Sequence, residues 1–120
     1  MTGHYLAYAA AFLFLYCLLY KKINMMCGKI KLSKLLKYHY ILASIGLIFV
    51  IIHVLLSRVK LAVTFGTVSL FMFICVFISG VVIIKSKGKI RKMVVYTHII
   101  LSIIALICMI FHIAENIILN

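Results

Sequence analysis

The 120 residues carry 13 Lys and Arg against a single acidic residue, for a formal net charge of +12, yet 68% of the chain is hydrophobic and Pro is absent. A chain of one domain's length cannot hide that much apolar surface from water, because its surface-to-volume ratio is too high. With a mean hydropathy of +1.31, a soluble globular domain is excluded.

Four stretches contain no Lys, Arg, Asp or Glu: residues 1–20, 38–57, 61–84 and 93–114. Each reaches the ~20 residues that a helix needs to cross the hydrocarbon core. Strands of a membrane barrel would alternate in polarity over ~10 residues, and these runs do not. The expected fold is therefore an all-α membrane protein, a single domain over 1–120 with four transmembrane helices at about 4–20, 38–57, 61–84 and 93–114.

The first run begins Met1-Thr2-Gly3-His4, and its flanking cations, Lys21 and Lys22, come after it. A signal peptide has the opposite order, with a positive start and a small-residue cleavage site, so a retained first helix is expected. Between the first and second runs lie Lys21, Lys22, Lys29, Lys31, Lys34 and Lys37. Between the second and third there are only Arg58 and Lys60. Lys85, Lys87, Lys89, Arg91 and Lys92 separate the third from the fourth. Eleven cations against two, on alternating connections, place both basic loops in the cytoplasm and both termini outside a cell membrane by the positive-inside rule. Topology thus accounts for the charge, and because the cations flank spans rather than form a separate domain, no nucleic-acid partner is expected. Membrane lipid is the surrounding medium.

Cys17, Cys27, Cys75 and Cys108 are scattered without a CxxC pair, unlike a zinc or disulfide framework. Those inside spans behave as small apolar residues, and Cys27 in a cytoplasmic loop is expected to be a reduced thiol.

The two halves of the chain resemble each other. Residues 39–53, HYILASIGLIFVIIH, and 98–112, HIILSIIALICMIFH, match at eight of fifteen ungapped positions, with the His ends coinciding. Ala43 aligns with Ser102 and Gly46 with Ala105, and the flanks Gly28-Lys29-Ile30-Lys31 and Gly88-Lys89-Ile90-Arg91 are alike. A duplicated two-helix hairpin follows, and two spans per unit give a parallel repeat.

Ionisable residues inside spans are rare, costly and usually functional. Four of the five histidines lie in two spans, as His39 with His53 and His98 with His112, each pair fourteen residues apart. Fourteen residues are almost four helical turns, so each pair projects from nearly one face at levels ~21 Å apart. The second and fourth helices run in the same direction, which puts His39 and His98 at the cytoplasmic level and His53 and His112 at the outer level. Two cross-helix pairs at matching depths suit two bis-histidine hemes b, whose closed iron favours electron transfer over oxygen binding. Zinc converges its ligands at ~2 Å, which levels four turns apart cannot do. Small residues permit close approach to the rings: Gly46 and Ala105 lie midway between the histidines, and Gly66 and Gly80 on the third run are also fourteen apart. On the first run Gly3, Ala7 and Ala9 to Ala11 offer small residues at the outer level, and Cys17 a weaker match at the inner one.

At these residues the chain resembles the heme-bearing four-helix half of respiratory cytochrome b, with H-x13-H on the second and fourth helices and glycines fourteen apart on the first and third. His39-x13-His53, His98-x13-His112 and Gly66-x13-Gly80 match the pattern, and Gly3/Cys17 matches in part. The core is also similar to ferric-reductase-like domains and superoxide-oxidase-type cytochromes. The 120 residues hold no PEWY-type loop and no flavin or nicotinamide module, so the resemblance implies electron carriage without a visible entry point for hydride.

The expected function is transmembrane electron transfer between a cytoplasmic or quinone partner and an extracytoplasmic acceptor, as a subunit of a larger complex or a homodimer. The alternatives are a self-contained ferric reductase or superoxide:quinone oxidoreductase, and a heme-free metal or proton transporter. Eleven cations at the inner face would steer an acidic flavoprotein or ferredoxin towards it. Heme propionates need cations: Lys37, Arg91 and Lys92 are candidates inside, Arg58 and Lys60 outside. Glu115, the only acid, lies three residues after His112, as a solvated helix end or a proton-handling group. Replacing Arg58 and Lys60 together should lower the outer heme's potential, since nearby positive charge favours the reduced form; an unchanged redox titration would remove both residues from that role.

Overall fold

A computed structural model describes residues 2–27, 32–56 and 64–118, excepting the side chains of residues 2–4, 20, 21, 23–27, 32, 33 and 35. Four helices account for nearly all of them: α1 (Thr2–Cys27), α2 (Leu32–Leu56), α3 (Phe65–Lys85) and α4 (Gly88–Ile118). Many of the apolar residues are Ile and Val, whose branched side chains lower helix propensity in water. Inside a bilayer that preference is overruled, because only a helix satisfies every backbone N–H and C=O within one segment. The hydroxyl groups follow the same logic. Ser44 donates to the Tyr40 carbonyl at 2.9 Å, Ser102 to His98 at 2.7 Å and Thr97 to Met93 at 3.2 Å, each within its own helix.

The ends of α3 are capped. Thr64 stands in extended backbone (φ −116°, ψ 163°), and its Oγ1 accepts from the Thr67 N–H at 3.4 Å. At the exit, the Ser86 N–H and Oγ–H both donate to the Val82 carbonyl, at 3.0 and 2.7 Å. Only Ser86 and Lys87 separate α3 from α4, whose first residue, Gly88, has φ +58°. That left-handed conformation is open to glycine without a Cβ clash, and it lets the chain reverse in so short a connection.

The chain divides into two compact units, Met1–Val59 and Lys60–Asn120. The first is an antiparallel hairpin of α1 against α2, the second an antiparallel hairpin of α3 against α4. The repeat in the sequence is therefore a repeat in structure, and the fold class is all-α, four helices built as a duplicated two-helix hairpin.

Burial within these hairpins is inverted relative to a water-soluble protein. Among the described residues, the buried ones are Ala10, Cys17, Ser69, Ser79, Ser102 and Ala105, all small, while Ile, Leu, Phe and Tyr point outwards along every helix. Lipid gives no hydrophobic drive for helices to associate, so contacts form where small side chains let backbones approach. The spans Leu36–Leu56, Phe65–Lys85 and Gly88–Ile118 are long and apolar enough to cross a membrane. In α1 the described apolar segment, Tyr5–Leu19, is shorter, and the expected span 4–20 runs onto residues whose side chains lie outside the described set. At 31 residues, α4 would extend ~46 Å against a ~30 Å hydrocarbon core. Its surplus lies at the N-terminal end, where Lys89, Arg91 and Lys92 are exposed.

Candidate functional site

The second hairpin joins the two features the sequence placed on different helices. His98 lies against Gly80: a Cβ built on that glycine would stand 3.6 Å from the imidazole Cε1 and 4.0 Å from Nδ1. His112 lies closer still against Gly66, where a Cβ would come within 2.8 Å of Cε1 and 2.9 Å of Nδ1. Moving fourteen residues along α3 from Gly66 to Gly80 moves the contact fourteen residues back along α4, from His112 to His98. Equal spacing on antiparallel partners is what lets both rings find a gap at once. Gly66 removes a Cβ that would collide with the His112 ring, whereas a Cβ on Gly80 would make only ordinary contact with His98.

Each ring also meets a polar side chain. Ser79, buried beside Gly80, places its Oγ 2.8 Å from His98 Nδ1 and 2.7 Å from the Val76 carbonyl. At the other end of α4, the Asn116 amide nitrogen donates to the His112 carbonyl at 2.7 Å. The same nitrogen lies 3.2 Å from Nδ1 and 3.5 Å from Nε2 of the ring. Next to this contact Phe65 and Phe111 stack with centroids 5.4 Å apart and planes at 25°, joining the start of α3 to the end of α4.

The first hairpin repeats part of this arrangement. Cys17 is buried, and its Sγ lies 3.9 Å from the His39 carbonyl. Cys17 thus faces His39 as Gly80 faces His98, although the chain separation is 22 residues in one case and 18 in the other. The partial match expected of Cys17 at the inner level thus falls against the backbone of His39. Gly3, fourteen residues before Cys17, falls outside the described side-chain positions, as do His4, Arg58 and Lys60. His53 is half-buried on α2.

Gly46 and Ala105, expected midway between the histidines, lie at helix–helix contacts of their own hairpins. A Cβ on Gly46 would stand 3.7 Å from Leu13 Cβ of α1, and Ala105 is wholly buried. Lys37, Arg91 and Lys92 are exposed, and the last two line an open cavity of about 440 Å³ with Gly88, Val95 and Tyr96. Glu115 is half-buried one residue before Asn116. Among the described residues, no three His, Cys, Asp or Glu side chains gather as a metal cluster.

Ser79 and Asn116 are absent from the sequence reading. Asn116 was accessible in principle, four residues after His112 and hence on its face of the helix. Ser79 needed the register of α3 on α4, which no local pattern carries. Comparison with known protein families, curated proteins and solved structures returns no match.

The two glycines should respond differently to a methyl group. Gly66→Ala leaves no room for the His112 ring, so it should displace the imidazole, shift its NMR signals and cost about 1–3 kcal/mol by overpacking. Gly80→Ala makes only ordinary contact and should stay within about 1 kcal/mol of the parent, with the His98 signals in place. The opposite ranking in unfolding and NMR measurements would contradict the seating described above.

Proposed function

We propose that this chain is a transmembrane electron carrier in which His39 and His98 hold one heme b, and His53 and His112 a second. The observation that carries the reading is the matched register of α3 and α4, with two imidazoles fourteen residues apart seated on two glycines fourteen residues apart. A histidine retained in a span for packing alone needs no partner at the same interval on the next helix. His39 with His98, and His53 with His112, would supply two imidazoles per level to a porphyrin-bound iron, and this donor set requires no third protein ligand.

Bound in this way, heme supplies reversible one-electron chemistry at an iron closed to exogenous ligands. The chain's own residues set the conditions for it. Gly66 leaves room for the His112 ring against α3, and Gly80 adjoins the His98 ring. The apolar faces of the helices exclude water and lower the local dielectric, which strengthens each remaining polar contact. Pairing across the two hairpins rests on span direction and on the sequence repeat, which align His39 with His98 and His53 with His112. Arg91 and Lys92, exposed at one end of α4, are placed to neutralise propionates or to attract an acidic flavoprotein or ferredoxin. Quinone is the alternative partner within the membrane, and an extracytoplasmic acceptor completes the circuit. The orientation, with both termini outside a cell membrane, follows from the eleven-to-two division of cations.

Purified protein should show a reduced-minus-oxidised spectrum of low-spin b-type heme, with two hemes per chain by extraction. A colourless protein that takes up no heme on reconstitution would overturn the proposal.

A further inference from the structure

The buried serine beside Gly80 has a chemistry that the seating of the ring does not require. A hydroxyl has one proton to give. Ser79 Oγ lies 2.7 Å from the Val76 carbonyl, which can only accept, so the hydroxyl proton is committed there. Towards His98 Nδ1, 2.8 Å away, the same oxygen has only lone pairs left to offer. The hydroxyl oxygen facing Nδ1 therefore calls for a proton on it. A neutral imidazole carries a single ring proton, so Nε2 is left with a free electron pair.

We infer that Ser79 is a positioning residue that holds His98 in the Nδ1–H tautomer and so presents Nε2 as the ligating atom. An acceptor that takes the N–H of one ring nitrogen, leaving the other nitrogen to bind the metal, is how metal-ligating histidines are oriented and made more basic. The ligation half of this inference rests on the function proposed above, whereas the tautomer half does not. At His112 the Asn116 amide nitrogen approaches both ring nitrogens at nearly equal distance, 3.2 and 3.5 Å. The duplicated hairpin does not repeat the serine. In the register that sets Cys17 opposite His39, the position corresponding to Ser79 is Tyr16, which is exposed.

Nitrogen NMR of the full chain in detergent, labelled on histidine and free of heme, tests the tautomer directly. The His98 signals, assigned by their loss in His98→Ala, should show a protonated Nδ1 and a bare Nε2. Ser79→Ala should erase that preference, and Ser79→Thr, which keeps the hydroxyl, should restore it. In the heme-loaded protein Ser79→Ala should raise the potential of one heme and leave the other in place, because a ring relieved of its Nδ1 acceptor is the weaker electron donor to ferric iron. A proton on Nε2 of His98 in the parent protein, which needs no variant to observe, would overturn the inference, as would identical His98 signals in parent and Ser79→Ala. Protein that binds no heme yet shows the expected tautomer would uphold the role of Ser79 and defeat the proposed cofactor instead.

Discussion

A histidine ring between two apolar helices needs room for its plane and a polar partner for its edge, because an unsatisfied nitrogen in hydrocarbon is expensive. In the α3–α4 hairpin both needs are met by neighbouring residues. Gly80 leaves the space against which His98 lies, and Ser79 supplies the hydrogen bond. Gly66 leaves the space for His112, with Asn116 at the ring edge. Because each ring is tied to a glycine on the facing helix, the hairpin's register is tied to the rings. Sliding α3 by one residue would bring a Cβ against His112, where the position of Gly66 leaves no room for one.

That constraint explains features that otherwise look unrelated. Buried positions are confined to Ala, Cys and Ser among the described residues, since backbones must come close for an imidazole on one helix to reach the next. The large apolar side chains are displaced outwards, where lipid is as good a solvent for them as protein. Thr64 caps the start of α3, and Ser86 with the left-handed Gly88 forms the short connection that joins α3 to α4. The first hairpin follows the same plan less strictly, with Cys17 where the second has Gly80 and with a longer connection. Duplication followed by divergence would produce this pattern, with one copy keeping the tighter seat.

Much of this was legible in the sequence, for reasons that differ by feature. Charge-free runs of membrane length announced helices, because in a bilayer length and polarity leave the backbone little alternative. They did not announce where helices end. Helix α2 begins at Leu32 rather than 38, and α4 at Gly88 rather than 93, because a helix can continue into the lysine-bearing interface where hydropathy has already fallen. The fourteen-residue spacing showed that each histidine pair shares a face, and Gly66 and Gly80 declared themselves by the same interval. Gly46 carried a weaker signal: it shares the histidine face of α2, yet its nearest neighbour across the hairpin is Leu13. Ser79 carried none, since a serine in an apolar helix usually bonds its own backbone and only the neighbouring helix gives this one a second task.

What distinguishes a ligand set from four separately packed histidines is pairing, and pairing is measurable. Heme content should be determined for His39→Ala, His98→Ala, their double variant, and the double variant of His39 and His53. If His39 and His98 serve one heme, either single change should remove one heme of two, and the two together should remove no more. Changing His39 and His53 together should remove both. Four losses that add independently, or heme content untouched by any of these changes, would contradict the paired arrangement.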